Sequence, residues 1–288
     1  MTIPHAFSNK GTLFLLIDGA KIDDLSANIY QHESTPICDA LYRDTHLSGL
    51  ADISPWLIQV KLDSRIVKLS FDDWRTMGAA VLWQAEANFD QVLAHFRSLV
   101  VARTSAGDEV IFRFYDPEIL RSLLSSDESG VDIQRLMGPC GEVAVQDRRS
   151  GEFAYYRNEW VLQPKSDDPF IIQDDHLAKM ERGVMQTALR KLELHTEEYF
   201  PHLLQETGSG GNGWDVVEQL INAARLRGLS TSRDAALYIN TIGYLGFSAF
   251  EQSRIAELWQ KYKADPARAI ARIAEVAEQM SMEGQSHG

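Results

Sequence analysis

The sequence predicts an α/β (α+β) N-terminal lobe, with a mixed sheet flanked by helices, followed by an all-α C-terminal lobe. Strand-like and helical patterns alternate as far as about residue 165, which is typical of layered α/β structure. Beyond residue 170 only helical spacing of apolar residues continues. The polar stretch between Pro164 and Pro169 resembles a linker. We therefore expect two domains, residues 1–165 and 170–288.

The strands predicted for the N-terminal lobe are short and apolar. Leu13–Ile17 is a continuous apolar run, which is typical of a central strand covered on both faces. Ile22–Gln31 and Phe89–Arg103 carry apolar residues spaced for one helix face. The other strands are expected at Ile37–Tyr42, Pro55–Leu62, Ala79–Trp83 and Glu109–Tyr115, with a hairpin of Glu142–Val145 and Phe153–Tyr156.

The stretch Ile111–Leu120 predicts a strand that runs directly into a capped helix. Its first half is apolar and aromatic apart from Arg113. Asp116 can cap the amides of a first helical turn, because its carboxylate accepts hydrogen bonds. Pro117 suits the first helical position, where its missing N–H costs nothing. We therefore expect a helix to begin at Pro117.

Arg113 is unusual within a predicted core strand. An unpaired buried guanidinium is very costly, so we expect it to pair with a carboxylate, for which Asp18 and Asp116 are candidates. Alternatively, Arg113 lies at a sheet edge and its head group reaches water. Asp18 itself follows a buried strand, where ligands of α/β proteins often bind, but it can equally cap a helix or pair with Arg113.

The C-terminal lobe is predicted to consist of helices with many aromatic residues. Helical spacing covers residues 176–199, 214–227, 233–245, 250–263 and 266–280. Most of the aromatic side chains should be core, and a few can line a groove for a partner, because aromatic residues are enriched at binding hot spots. The candidates for partner binding are Trp214, Tyr238, Tyr244, Phe247 and Phe250.

Composition excludes several classes of function. The net charge of −13 argues against nucleic acid as a partner, since phosphate binding needs a basic face. Two cysteines, Cys38 and Cys140, provide neither a disulfide framework nor a zinc site. No apolar stretch has the length of a membrane span or of a signal-peptide core, so we expect a cytoplasmic protein without membrane contact.

The sequence motifs do not assemble a catalytic set. Gly208, Gly210 and Gly213 match the spacing of a dinucleotide fingerprint, but a predicted helix precedes them where a strand is required. His195 lies one helical turn before Glu198, without the further ligand that a metal site needs. We therefore expect no catalytic residues, no metal and no cofactor.

Three short motifs, in order along the chain, carry a family resemblance. They are LLIDGA at Leu15–Ala20, PWL at Pro55–Leu57 and FRFYDP ending at Pro117. Together they resemble the adaptors, or effector chaperones, of bacterial type VI secretion (the Tap/Tec type). The resemblance covers residues 12–159 well and the helical remainder more loosely. The residues that match the motifs are Asp18, Gly19, Trp56, Arg113, Tyr115, Asp116 and Pro117, and we assign them structural roles.

This resemblance implies a non-enzymatic protein that binds a cognate secreted effector. It further implies that the protein helps load that effector onto the VgrG spike or its PAAR tip. Two positions depart from the family pattern: Ser54 stands where a glycine often precedes the Pro-Trp, and Glu118 where a basic residue often follows the Asp-Pro. The alternative from the residues alone is a small-molecule enzyme with a site at the strand ends near Asp18 and Arg113.

Overall fold

A computed structural model describes residues 7, 11–125, 131–148, 150–159, 169–205 and 213–285. The chain forms two compact units, Met1–Val184 and Met185–Gly288. The linker predicted at residues 164–168 lies outside the described residues, and so do Gly208 and Gly210, two of the three glycines whose spacing resembles a dinucleotide fingerprint. The domain limits at residues 165 and 170 therefore stay a prediction.

The first unit contains all the strands that the structure describes. They are β1 (Thr12–Ile17), β2 (Cys38–Ala40), β3 (Trp56–Val60), β4 (Ala80–Ala85), β5 (Val101–Thr104), β6 (Glu109–Ile111), β7 (Cys140–Gln146), β8 (Phe153–Arg157) and β9 (Phe170–Ile172). Its helices are α1 (Leu25–His32), α2 (Arg65–Lys68), α3 (Phe89–Leu99), α4 (Pro117–Leu124) and α5 (Val131–Met137). Short 3-10 or π turns occupy Ser48–Ile53, Leu69–Asp73 and Arg75–Met77.

Two sheets organise these strands. The larger has six antiparallel strands in the order β2-β3-β1-β4-β7-β8. The smaller has the order β6-β5-β9, and its β5 and β9 run parallel. From Asp174 onward every described element is a helix. The predicted fold class, a mixed α/β part followed by an all-helical part, is therefore confirmed.

The central strand β1 is buried on both faces, as its apolar run predicts. It pairs with β3 on one side and with β4 on the other. Phe14 and Leu16 belong to a core cluster that includes Trp83, while Leu15 and Ile17 belong to a separate cluster on the other face. Because side chains alternate along a strand, one six-residue segment joins both cores of the first unit.

Two predicted boundaries are wrong. The helix expected over Phe89–Arg103 ends at Leu99, and Val101–Thr104 is the strand β5, because its β-branched residues pair with β6 and β9. The strand expected over Glu109–Tyr115 ends at Ile111. Phe114 and Tyr115 both pack into the same core cluster. Consecutive side chains of a strand point to opposite faces, so these two residues are no longer part of the sheet.

Residues 174–285 form the remaining helices. They are α6 (Asp174–Tyr199), α7 (Pro201–Gln205), α8 (Gly213–Leu226), α9 (Ser232–Leu245), α10 (Ser253–Lys261) and α11 (Pro266–Gln285), with a 3-10 turn at Ala249–Glu251 before α10. In the second unit the inward faces of α8, α9 and α11 share one apolar core. Among the described residues no helix has both the length and the apolar character needed to cross a membrane.

His95 is a buried histidine within the core of the first unit. Its Nε2 lies 3.1 Å from the carbonyl oxygen of Leu136, and because a carbonyl only accepts, Nε2–H is the donor. Gly138 covers the ring so closely that a Cβ there would lie 2.3 Å from it. Burial lowers the pKa of His95 below the ordinary 6.5, so the folded protein holds this imidazole neutral.

We predict that the free energy of unfolding decreases as the pH falls below 6.5 towards the lowered pKa of His95. In this pH range the imidazole of His95 binds a proton in the unfolded chain but not in the folded chain, so lowering the pH favours unfolding. His95→Gln keeps an N–H donor but does not titrate, and it should flatten this part of the profile in urea denaturation. The exposed His46 provides the control, and His46→Gln should leave the slope of the free energy of unfolding against pH unchanged. If wild type and His95→Gln show equal slopes, His95 is not the group responsible.

Candidate functional site

A network of charged side chains begins where β1 ends. Asp18 follows the strand directly, and its backbone N–H donates to the carbonyl oxygen of Ala79 at 2.8 Å, which continues the pairing with the β4 side. The residue has no exposure to solvent. Its carboxylate accepts a hydrogen bond from the N–H of Ala20 at 3.1 Å and forms a close ion pair with Arg113. Lys21 lies 3.8 Å from it.

Asp116 caps α4 in the manner that the sequence predicts. Its carboxylate accepts hydrogen bonds from the N–H groups of Glu118 at 2.9 Å and Ile119 at 3.4 Å, and Pro117 takes the first helical position. The same carboxylate contacts Nζ of Lys21 at 2.7 Å. Lys21 thus joins the end of β1 to the start of α4.

The network continues towards the β7–β8 hairpin. The guanidinium of Arg148 lies 3.7 Å from Asp116 and 4.0 Å from Glu118, and all three side chains are almost fully buried. Arg121 contacts Glu118 at 2.7 Å and Asp147 at 2.6 Å. Opposite charges therefore alternate through the network from Arg113 to Asp147.

The pKa values within the network follow from burial and from neighbouring charges. Burial lowers the pKa of Lys21, although Asp116 opposes the shift. Burial would raise the pKa of Asp116, but Lys21 and Arg148 together outweigh it and hold that pKa below its ordinary 3.8. Burial raises the pKa of Glu118. The ionised form of Asp116 is thus the one that the network stabilises.

The sequence left two possibilities for Arg113, a carboxylate partner or a head group that reaches water, and the structure shows both. It pairs with the buried Asp18, yet 43% of its side chain is exposed. Its guanidinium also lies 5.8 Å from the ring centre of Tyr115, whose hydroxyl lies 2.8 Å from that of Tyr42. Burial opposes the charge of Arg113, but Asp18 outweighs it and raises the pKa of the guanidinium. Arg113 is therefore a partly exposed end of the network, more exposed than Asp147 at the other end.

The other two matched motif residues lie beside the network. Trp56 begins β3 and pairs with Ile17 at the end of β1, and the guanidinium of Arg43 lies 6.0 Å from its ring. Gly19 packs against the backbone of Ser54, where a Cβ would lie only 2.2 Å from the carbonyl oxygen. The three motifs, separated in sequence, therefore meet in one place.

Sequence reasoning missed half of this network. It did not identify Lys21, Arg121, Asp147 and Arg148, although Lys21 lies three residues after Asp18 and could have been suspected from that spacing. Arg148 carries no local signal, since its partners Asp116 and Glu118 are some 30 residues away in sequence. Only the tertiary fold brings these side chains together.

The aromatic candidates of the second unit differ in accessibility. Tyr238 is buried and stacks on Phe250 at 5.1 Å between ring centres. Trp214 and Tyr244 are partly buried against the core of that unit. Phe247 is 49% exposed. Their part in partner binding stays a prediction.

Two histidines of the helical part have hydrogen-bond partners. His195 contacts Oδ1 of Asn240 at 2.6 Å, and His202 contacts the carbonyl oxygen of Gly243 at 3.0 Å. Across the described ranges no group of three or more His, Cys, Asp or Glu side chains is placed to hold a metal ion.

We predict that Gly19→Ala destabilises the protein by about 1–3 kcal/mol, because the new methyl group overlaps backbone that cannot rotate away. Gly49→Ala is the matched control. No atom lies within 4 Å of the position that a Cβ would take at Gly49, and neither glycine has a positive φ. The control should change the free energy of unfolding by less than about 0.5 kcal/mol. Equal denaturation midpoints for the two variants would show that the close packing of Gly19 against Ser54 does not contribute to stability.

Comparison with known proteins identifies a known type of domain that contains most residues of the site, all except Asp147 and Arg148. Residues 13–130 match the family described as a domain of unknown function, DUF4123. Over 277 residues the chain is 24% identical to the accessory protein VasW of Vibrio cholerae serotype O1 (strain ATCC 39315 / El Tor Inaba N16961), an alignment that covers 95% of this chain and 90% of that protein. No solved structure matches the chain. The resemblance carried by the three motifs is confirmed: the region that contains them, residues 13–130, matches the DUF4123 family, and the similarity to the accessory protein VasW extends along most of the chain.

Proposed function

We propose that this protein is a non-enzymatic adaptor that binds a cognate type VI secretion effector in the cytoplasm and promotes its loading onto the VgrG spike or its PAAR tip. The similarity to an accessory protein extends along 95% of the chain, so it includes the helical second unit as well as the DUF4123 domain. An adaptor of this kind needs surfaces for protein partners and needs no reaction centre.

The observation that carries this proposal is the pairing within the charge network. Each of the carboxylates of Asp18, Asp116, Glu118 and Asp147 contacts at least one cationic side chain of the same network. A general acid or base must instead reach a substrate. This pairing supports a structural role for the polar residues at the strand ends.

The alternative is a small-molecule enzyme with its site near Asp18 and Arg113. The half-exposed guanidinium of Arg113 is the observation in its favour, because it could meet an anionic ligand. Asp18 lies behind that guanidinium with no exposed surface. A substrate at this position would therefore meet Arg113 and not the carboxylate, which favours the adaptor over the enzyme.

The overall charge indicates which partner segments are preferred. At −13 the chain attracts a basic segment and repels an acidic one, an effect that acts mainly on association rate and specificity. We infer that the effector contributes an extended or helical segment that lies across a partly apolar surface.

Affinity capture from the native bacterium tests this function. We predict that the tagged chain enriches one secreted toxin together with VgrG or a PAAR protein, as identified by mass spectrometry. An unrelated acidic protein with the same tag controls for charge. The purified toxin should then form a stable complex with the purified chain in analytical ultracentrifugation. If the two purified proteins do not associate, the adaptor function is wrong.

A further inference from the structure

The six-stranded sheet ends in two very different edge strands. Its order places β2 at one end and β8 at the other. β2 has only three residues, whereas β8 has five, Phe153–Arg157, in regular register with β7. The sequence of β8, Phe-Ala-Tyr-Tyr-Arg, contains neither proline nor glycine and favours extended structure. β8 is thus the longer and more regular of the two edges.

The hydrogen-bond pattern shows which backbone groups of β8 face outward. The N–H of Asp147 donates to the carbonyl of Glu152, and the N–H of Asn158 donates to that of Gly141. Backbone hydrogen bonding alternates along an antiparallel ladder, so the N–H and C=O groups of the even-numbered residues of β8 point towards β7. The N–H and C=O groups of Phe153, Tyr155 and Arg157 therefore point away from the sheet. Among the residues that the structure describes, no strand pairs with them.

The opposite edge is closed by side chains. The outward N–H of Ala40 in β2 donates to the Oδ1 of Asp39 at 2.8 Å. Its carbonyl oxygen accepts from Nη2 of Arg97 at 2.9 Å. Proteins commonly protect edge strands by such devices, because an unpaired edge is a template for another strand. β2 has this protection, whereas none of the side chains that the structure describes is seen to bond to the outward backbone groups of β8.

An apolar strip lies beside the open edge. Tyr155 is 39% exposed, and its ring packs edge-on against Phe7 at 6.0 Å between centres. The ring of Phe153 lies 6.5 Å away. A strand added here could place every second side chain against these rings, in the way that cross-strand neighbours pack within a sheet.

We propose that the edge of β8 receives an extended segment of the effector as a seventh strand of the sheet. This inference rests on the adaptor function proposed above, and it identifies the edge of β8 as the surface that binds the effector. The segment should be neutral or basic and should carry apolar residues at alternate positions. A second copy of this chain is a less suitable occupant, because each copy carries a net charge of −13 and the two would repel.

The free protein provides the first test, by amide hydrogen exchange resolved by NMR. We expect the outward amides of Phe153, Tyr155 and Arg157 to exchange much faster than those of Ala154 and Tyr156, which are bonded to β7. If all five amides are equally protected in the free chain, the edge is already covered and the proposal is wrong. This result does not depend on any effector.

The second test uses the purified effector obtained by affinity capture and three variants of the full chain. Tyr155→Pro removes an outward N–H that β7 does not use, and proline is tolerated at such edge positions. Tyr155→Thr removes the ring but keeps the N–H. At the opposite edge the carbonyl of Ile37 bonds to β3, so the N–H of the next residue, Cys38, points away from β3. Cys38→Pro removes this outward N–H. Thermal unfolding of all three checks that they remain folded.

We expect Tyr155→Pro to weaken effector binding by about tenfold or more, and Tyr155→Thr and Cys38→Pro to weaken it by less than about threefold. Equal losses in Tyr155→Pro and Tyr155→Thr would show that the ring and not the backbone is recognised, and would overturn strand addition. Full affinity in Tyr155→Pro would overturn the proposed surface while the adaptor function stands. If the chain alone is a dimer that Tyr155→Pro converts to a monomer, a second copy occupies the edge and the proposal is wrong.

Discussion

A carboxylate without solvent exposure ends the central strand of this protein, and the arrangement around it follows from the need to balance its charge. Removing an ion from water costs several kcal/mol unless opposite charges and hydrogen bonds replace the lost hydration. Asp18 obtains these from Arg113, from the N–H of Ala20 and from the nearby Lys21. The residues that supply them come from the turn after β1 and from the segment that enters α4. Satisfying one carboxylate therefore fixes the position of two chain segments.

The charged residues around Asp18 need balancing partners in the same way. Lys21 is shared with Asp116, Asp116 is shared with Arg148, and Arg148 belongs to the β7–β8 hairpin. The hairpin that contains the edge strand β8 is thus connected to the start of α4 by ion pairs. Under the proposed adaptor function, the motif residues of the DUF4123 domain serve as a scaffold, and partner recognition is left to other surfaces. The charged residues at the strand ends then have a structural role.

The sequence predicted the parts of this structure that depend on local chemistry. The apolar run of β1 and the cap formed by Asp116 and Pro117 follow from nearby residues. The cost of a buried charge indicated a carboxylate partner for Arg113, but it left Asp18, Asp116 and an exposed position at a sheet edge as alternatives. The strand β5 was predicted as helix because its apolar residues continue the spacing of α3, and only pairing with β6 and β9 decides against it. The place of Arg148 beside Asp116 depends on how β7 and β8 lie in the sheet. No local pattern encodes that contact.

A double-mutant cycle between Asp18 and Arg113 tests the central claim, that the network stabilises the fold and does not act in a reaction or in direct partner contact. The variants are Asp18→Asn, Arg113→Gln and the combination, and the free energy of unfolding is measured for each by urea denaturation, together with effector affinity. We predict a coupling energy of about 0.5–3 kcal/mol, with effector affinity unchanged among folded variants. A coupling energy near zero, together with loss of effector binding in a stably folded Arg113→Gln variant, would contradict it.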